Sequence, residues 1–294
     1  MTGRRNTEDR SDKSAFFRRL QESALSPSQR RIAGYLAGQY RTAASQTAAE
    51  VARTVKTSEA TVIRFALRLG YDGYPRLRRQ LHRMLHEDLT SIELLSRPLP
   101  ASGKARDTLT SVVQAEIQHL RTLAAELPRE EFSRLVRGLT EATRVYVVGH
   151  RASAPLAEFL GYTLAKVRDD VITLTDGGSR AYDAFRAVPA STWLIAIGFP
   201  RYPRETVELV QSAVEEGLTV AAITDTVLSP LAKSADIVLP VRSEPVSFVD
   251  SHGAAQALVA SLLVEYGQKN RDRTRERLAR FERIAARHAL FHSE

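Results

Sequence analysis

The sequence contains no cysteine. That excludes disulfides, thiolate zinc sites and cysteine nucleophiles. Long apolar runs are missing as well. The longest stretches without Asp, Glu, Lys or Arg are 14 residues, at 187–200 and 251–264. A membrane-spanning helix takes ~20 apolar residues, so none is expected. The first residues, MTGRRNTEDRSDK, are charged and lead into no apolar run, so they are not read as a secretory signal. There is no Walker loop, no G-x-S-x-G elbow and no G-x-G-x-x-G. Of the 7 histidines, His82 and His86 share H-x-x-x-H spacing but lie in a basic helical stretch rather than on a pocket helix. The expectation is a cytoplasmic protein with no metal and no cofactor.

What is there is enough chain for about two domains: 294 residues, 43% hydrophobic and 26% charged. The charge is uneven. Residues 1–100 hold 18 Lys+Arg against 10 Asp+Glu. Residues 101–266 hold 16 against 20, and residues 267–294 hold 8 against 4. A basic first third could meet a polyanion, while the mildly acidic body does something else.

The texture of the chain divides accordingly. Residues 1–14 are polar and read as disordered. Residues 15–90 read as helical throughout. LLSRPLPASGK, at 94–104, has the prolines, glycine and serines of a linker, and Thr108–Ala125 returns to a helical period, so 91–125 reads as linker and connecting helix. From about 126 to 266 the pattern is α/β. Five short apolar runs, VYVVG (145–149), VITL (171–174), WLIAIG (193–198), TVAAIT (219–224) and DIVLPV (236–241), alternate with amphipathic stretches. Apolar runs bounded by turn residues suit strands buried on both faces of a parallel sheet. Residues 267–294 read as a basic helix whose stripe is Leu278, Phe281, Ile284, Ala285 and Leu290, packing on the sheet domain or on a partner.

Within the first domain, TAAEVARTVKTSEATVIRFALRLGY (47–71) carries the chemistry. A short helix from Thr47 to Arg53 is followed by a turn over Thr54–Thr57. Ser58 sits where an N-cap belongs, its hydroxyl placed to accept the N–H of Thr61. A second helix then runs to Leu69, with Gly70 as its C-cap. Val62, Phe65, Ala66 and Leu69 share one face. Ser58, Glu59, Ala60, Thr61, Arg64 and Arg68 lie at its start and on the other side. One side locking to a bundle and the other entering a major groove is the design of a recognition helix. Arg64 and Arg68 can reach phosphates or guanine edges, and Arg76 and Arg79, with Arg78 and Arg83, can line phosphates in the next helix. An ordinary three-helix bundle shows the same stripe.

These residues resemble a known family. LSPSQRRIAGYL (25–36), TAAEVA and SEATVIRFALRLGYDGYPRLRRQL are similar to the N-terminal domain of RpiR/MurR-type bacterial transcriptional regulators. The family places Gly in the turn, where this chain has Lys56, and commonly Val where it has Thr57. The resemblance implies an all-helical helix-turn-helix domain followed by a flavodoxin-like SIS (sugar isomerase) domain with a five-stranded parallel sheet. It covers roughly residues 16–265.

In the SIS-like region, TDTVLSPLAKSADIVLPV (224–241) follows the family pattern closely. The loop after the first strand reads Gly149-His150-Arg151-Ala152-Ser153, where the family has G-x-G-x-S. After the third strand, the family's S-x-S-G-x-[ST]-x-E is replaced by Gly198-Phe199-Pro200-Arg201-Tyr202-Pro203-Arg204-Glu205-Thr206. The serines that take a sugar phosphate are gone and arginines have come in. Arginine binds phosphate and carboxylate in forked geometry. The expected effector site is therefore Gly149, Arg151, Ser153, Arg201, Arg204 and Thr206, with Ser251 and His252 at the start of the last helix, which borders the ligand in the resembled domain.

The reading is a DNA-binding transcriptional regulator whose SIS domain senses a small carbohydrate-derived anion. Its partners are double-stranded operator DNA, the effector and further copies of itself, as homodimer or homotetramer. No membrane partner and no catalysis are expected, and its place is the cytoplasm, at the nucleoid when bound to DNA. The alternative is a sugar-phosphate isomerase-like enzyme with an accessory helical domain, Glu158 or His252 serving as base.

Overall fold

A computed structural model describes residues 12–96 and 107–292, which fall into two compact units divided after Ser96. The segment 1–11, expected to be disordered, and the core of the linker, 97–106, lie outside the described residues.

The first unit is all helical: α1 (Asp12–Glu22), α2 (Pro27–Ala43), α3 (Ala48–Thr54), α4 (Glu59–Arg68), α5 (Tyr74–Asp88) and α6 (Ser91–Leu95). Local sequence accounts for the boundaries. Ser26, Thr47 and Thr90 are N-caps with capping boxes closed by Gln29, Glu50 and Glu93. Pro27 occupies the first turn of α2, where its missing N–H costs nothing. Ile32, Leu36, Val51, Val62, Phe65, Leu77 and Leu81 are fully buried in one core. Two expectations shift here: residues 12–14 are helical, and the linker region begins with the short helix α6.

The second unit continues with α7 (Thr108–Glu126), α8 (Arg129–Glu141), β1 (Arg144–Val148), α9 (Ala154–Val167), β2 (Val171–Leu174), α10 (Arg180–Asp183), β3 (Thr192–Ile197), α11 (Arg204–Glu215), β4 (Thr219–Thr224), β5 (Ile237–Pro240), α12 (Gly253–Lys269) and α13 (Arg271–Arg287). The five strands are those read from the apolar runs. All pair in parallel, in the order β2-β1-β3-β4-β5. The pleat sends Val145, Val147, Ile195 and Ile197 to one core, with α8, α9 and α12. Tyr146, Val148, Leu194 and Ala196 go to the other, with α11. Both faces being covered is why these strands lack polar alternation. Val171–Leu174 differs, because β2 is an edge and its residues are only half-buried.

Two helices depart from their expected roles. α7 packs on α12 and so belongs to the sheet unit rather than to a free connector. Its buried residues are Ser111 and His119, while Leu109, Val112, Val113 and Leu120 remain exposed. The C-terminal segment breaks at Asn270, and α13 packs on α9; its buried or half-buried residues are Thr274, Arg277, Phe281 and Ala285. Leu278, Ile284 and Leu290 of the expected stripe are exposed.

A buried guanidinium strengthens this unit. Arg168 donates to the carbonyls of Leu139 (2.5 Å) and Ala142 (2.8 Å), closing the end of α8. Burial pushes its pKa down from the usual value.

Candidate functional sites: a helical DNA interface and the crevice between β1 and β3

In the first unit, α3 and α4 form the hairpin expected from the sequence. Ser58 caps α4, its hydroxyl accepting the N–H of Thr61 at 3.2 Å and lying 2.8 Å from the Thr61 hydroxyl. Arg64 donates to Thr61 Oγ1 at 3.3 Å, so its guanidinium is held along the helix surface. Ser58, Glu59, Ala60, Arg64 and Arg68 are exposed and Thr61 is half-exposed, on the side away from buried Val62, Phe65, Ala66 and Leu69. Arg76 is exposed on α5 and Arg79 is half-buried there. Ile63 and Leu67, which the sequence pattern assigns to neither face, are exposed beside Arg64. Exposed methyl groups on a recognition helix can meet thymine methyls.

The turn between α3 and α4 has a specific closure. Lys56 has φ +52 and Thr57 N–H bonds to Ala52 O at 2.9 Å. Gly70 has φ +84 and Tyr71 N–H bonds to Ala66 O at 3.0 Å. Both are Schellman closures with one left-handed residue. The turn is not loosened by the replacement of Gly by Lys56; the lysine adopts the glycine conformation. Arg31 of α2 braces it, donating to Val55 O (3.3 Å) and Lys56 O (3.2 Å).

In the second unit, the strand order reverses between β1 and β3, where open α/β sheets leave a ligand crevice beyond the carboxyl ends. The loops at Gly149–Ser153 and Gly198–Thr206 meet there. Gly149 leaves no room for a side chain: a Cβ would lie 3.0 Å from Ser153 O and 3.0 Å from Ala157 Cβ. Ser153 and Thr206 are buried. Arg151 and Arg201 are exposed, with φ +55 and +66, so both replace family glycines in glycine-like backbone. Arg204 turns away; its side chain is 89% exposed and bonds Glu208 on its own helix at 2.6 Å.

The residue that ties the loops together is His150, which has no role in the site expected from the sequence. It is buried, and its Nδ1 lies 2.8 Å from Thr206 Oγ1. Its Nε2 is buried without a hydrogen-bond partner among the described residues. Tyr202 reaches Asp225 at the end of β4.

Ser251 and His252 stand at the start of α12. The His252 ring stacks on Phe199 at 5.5 Å, which brings α12 to the β3 loop. Burial pushes the His252 pKa below the ordinary value, opposed by Asp250 and Glu116. Ser251 is buried and faces α7 instead of a ligand, donating to Glu116 Oε1 at 2.6 Å and contacting His119 Nδ1 at 2.9 Å. His119 Nε2 lies 3.4 Å from Glu244, and Arg242 is 3.8 Å from the same carboxylate. Burial alone would raise the Glu244 carboxyl; His119 and Arg242 hold it down at about 2. Glu158 accepts a hydrogen bond from Thr175. Among the described residues there is no group of three or more His, Asp or Glu placed to hold a metal ion. No helix among them is long and apolar enough to cross a membrane.

Comparison with known proteins agrees with both units. Residues 19–88 match the model of the helix-turn-helix domain of the rpiR family, and residues 138–265 match the SIS domain. An uncharacterized HTH-type transcriptional regulator of Caldanaerobacter subterraneus is 26% identical over 250 residues, 84% of this chain and 85% of that protein. The sugar isomerase domain of an RpiR transcription factor from Sphaerobacter thermophilus is 29% identical, with a TM-score of 0.58 over 60% of this chain and 98% of its own. The Vibrio vulnificus NanR protein complexed with ManNAc-6P shares the fold over 94% of this chain and 99% of its own, at 21% identity and a TM-score of 0.60.

Proposed function

We propose that this chain, which belongs to the RpiR-type helix-turn-helix regulators carrying a SIS domain, binds operator DNA through α3 and α4 and senses a small carbohydrate-derived anion in the crevice between β1 and β3. The observation that carries the effector reading is the pair Arg151 and Arg201. Two guanidinium-bearing residues stand in left-handed backbone at the mouths of both loops, where strain of ~1–3 kcal/mol persists mainly at functional sites. NanR, in a complex with ManNAc-6P, carries a sugar phosphate in the same fold. Here the serines are gone and arginines stand at two glycine positions, which favours a ligand whose phosphate or carboxylate accepts forked hydrogen bonds. Gly149, Ser153, Thr206 and His252 complete the proposed site. Ser251 and Arg204 support it from outside, through α7 and α11.

The exposed Leu109, Val112, Val113 and Leu120 of α7 support self-association, at least as a dimer, and two recognition helices would then meet a symmetric operator. Effector and DNA would be linked through the relative stability of two dimer geometries. The protein would act in the cytoplasm and without catalysis.

The test is selection of genomic fragments by the purified protein at near-physiological salt. Enrichment of a symmetric site is expected, with Arg64→Ala costing ~1–3 kcal/mol on that site if Arg64 reads a base. No enrichment by folded protein, with turnover of an aldose or ketose phosphate, would overturn the reading in favour of the isomerase.

A further inference from the structure

The helix α13 lies beyond both matched family regions, 19–88 and 138–265. It is a regular 17-residue helix and it is anchored. Arg277 pairs with Asp169 after α9, and Lys166 of α9 lies 4.8 Å over the Phe281 ring. Ala285 is buried. Those contacts fix which side faces out. At ~100° per residue, Arg273, Arg280 and Arg287 repeat every seventh residue along one line, with Arg283 beside them. All four side chains are exposed. Glu276 lies on that face, Asp272 is at its start beside the Arg283 line, and Ile284 borders it.

Like charges about 10.5 Å apart on one helix line repel one another in the free protein. A cationic helix face attracts a row of phosphates, and release of the counterions condensed on DNA rewards such contacts. We infer that the Arg273–Arg280–Arg283–Arg287 face of α13 is a second DNA-binding surface, one that engages the phosphate backbone without reading bases. The inference rests on the operator-binding reading and adds to it a contact outside the helix-turn-helix unit.

The test compares two double variants of the full chain, Arg280→Gln with Arg287→Gln and, as an equal charge change elsewhere on the same unit, Arg121→Gln with Arg137→Gln. Binding to the selected operator duplex is titrated across salt. The α13 variant is expected to lower the log–log salt slope by about 2, with the control near wild type. Equal falls in both variants would reduce the effect to general electrostatics and overturn the inference. An unchanged slope would do the same. So would a change in oligomeric state by sedimentation, which would make α13 a contact between copies. Arg64→Ala, run in parallel, separates the two readings. If it and wild type show no operator preference, the recognition-helix reading fails, whereas intact preference with an unchanged α13 slope sinks this inference alone.

Discussion

His150 Nδ1 lies 2.8 Å from Thr206 Oγ1, so a buried ring joins the loop after β1 to the first turn of α11. Removing one partner from a buried hydrogen bond costs more than the bond is worth, because the other group stays desolvated. Thr206→Val is expected to destabilise the protein by ~1–3 kcal/mol and to weaken binding of anionic sugar derivatives, with Thr206→Ser restoring both. Thermal unfolding and ligand titration check this. Unchanged values for Thr206→Val would show that the bond positions nothing.

Lys56 and Arg151, both in left-handed backbone, invite a test in which stability and effector affinity separate. A non-glycine residue in left-handed backbone costs ~1–2 kcal/mol, and glycine there loses about 0.5–1 kcal/mol of it to chain entropy. Lys56→Gly and Arg151→Gly should each raise stability by up to ~1 kcal/mol. Arg151→Gly should also lose effector affinity, whereas Lys56→Gly should keep it. Gly70→Ala has free space around its Cβ but the wrong φ, so it should lose ~1 kcal/mol. Denaturant unfolding reads all three. A stabilised Arg151→Gly that still binds ligand would remove Arg151 from the site.

Arg31 holds the Val55 and Lys56 carbonyls from α2. Arg31→Ala should cost ~1 kcal/mol of stability and weaken operator binding by disturbing the α3–α4 turn. Because that is a positioning effect, the salt slope should hold. A slope reduced by about 0.9 would instead make Arg31 a phosphate contact.

Glu244 supplies a pH test. Its carboxyl is held at about 2 in the fold against an ordinary 4.5. A depressed carboxylate pKa contributes stability that is full above the unfolded value and is lost as pH falls through the folded one. The advantage of wild type over Glu244→Gln should be constant above about pH 5.5 and fade between about pH 4.5 and 2. Unfolding measured from pH 7 to 3 checks it. A difference that stays flat on acidification would mean His119 and Arg242 do not hold that charge.

Much was legible locally. Ser58 as N-cap, the Gly70 closure and the five strands follow from capping chemistry and short apolar runs, each decided within a few residues. The buried side of α7 was not legible from its helical period, because its buried residues, Ser111 and His119, are polar. His119 is tolerated there because Ser251, 132 residues away, partners it. The C-terminal stripe misled for a related reason, since α13 is held by an ion pair and a cation–π contact as well as by apolar burial.

The candidate site shows the same division. The residue types in its two loops, including arginines where glycines were expected, were readable in order along the chain. Their meeting depended on the strand order, which places β3 beside β1 and brings Thr206 to His150 across 56 residues. By itself the sequence determined two kinds of domain, their helices and strands, the recognition-helix face and the cationic character of both loops. All of these come from periodicity, capping and side-chain chemistry over short spans. Only the tertiary structure decided that His150 joins the loops, that α7 belongs to the sheet unit and that the arginines of α13 face outward. Those facts are contacts between distant residues, and local patterns do not encode which distant groups satisfy a buried polar atom.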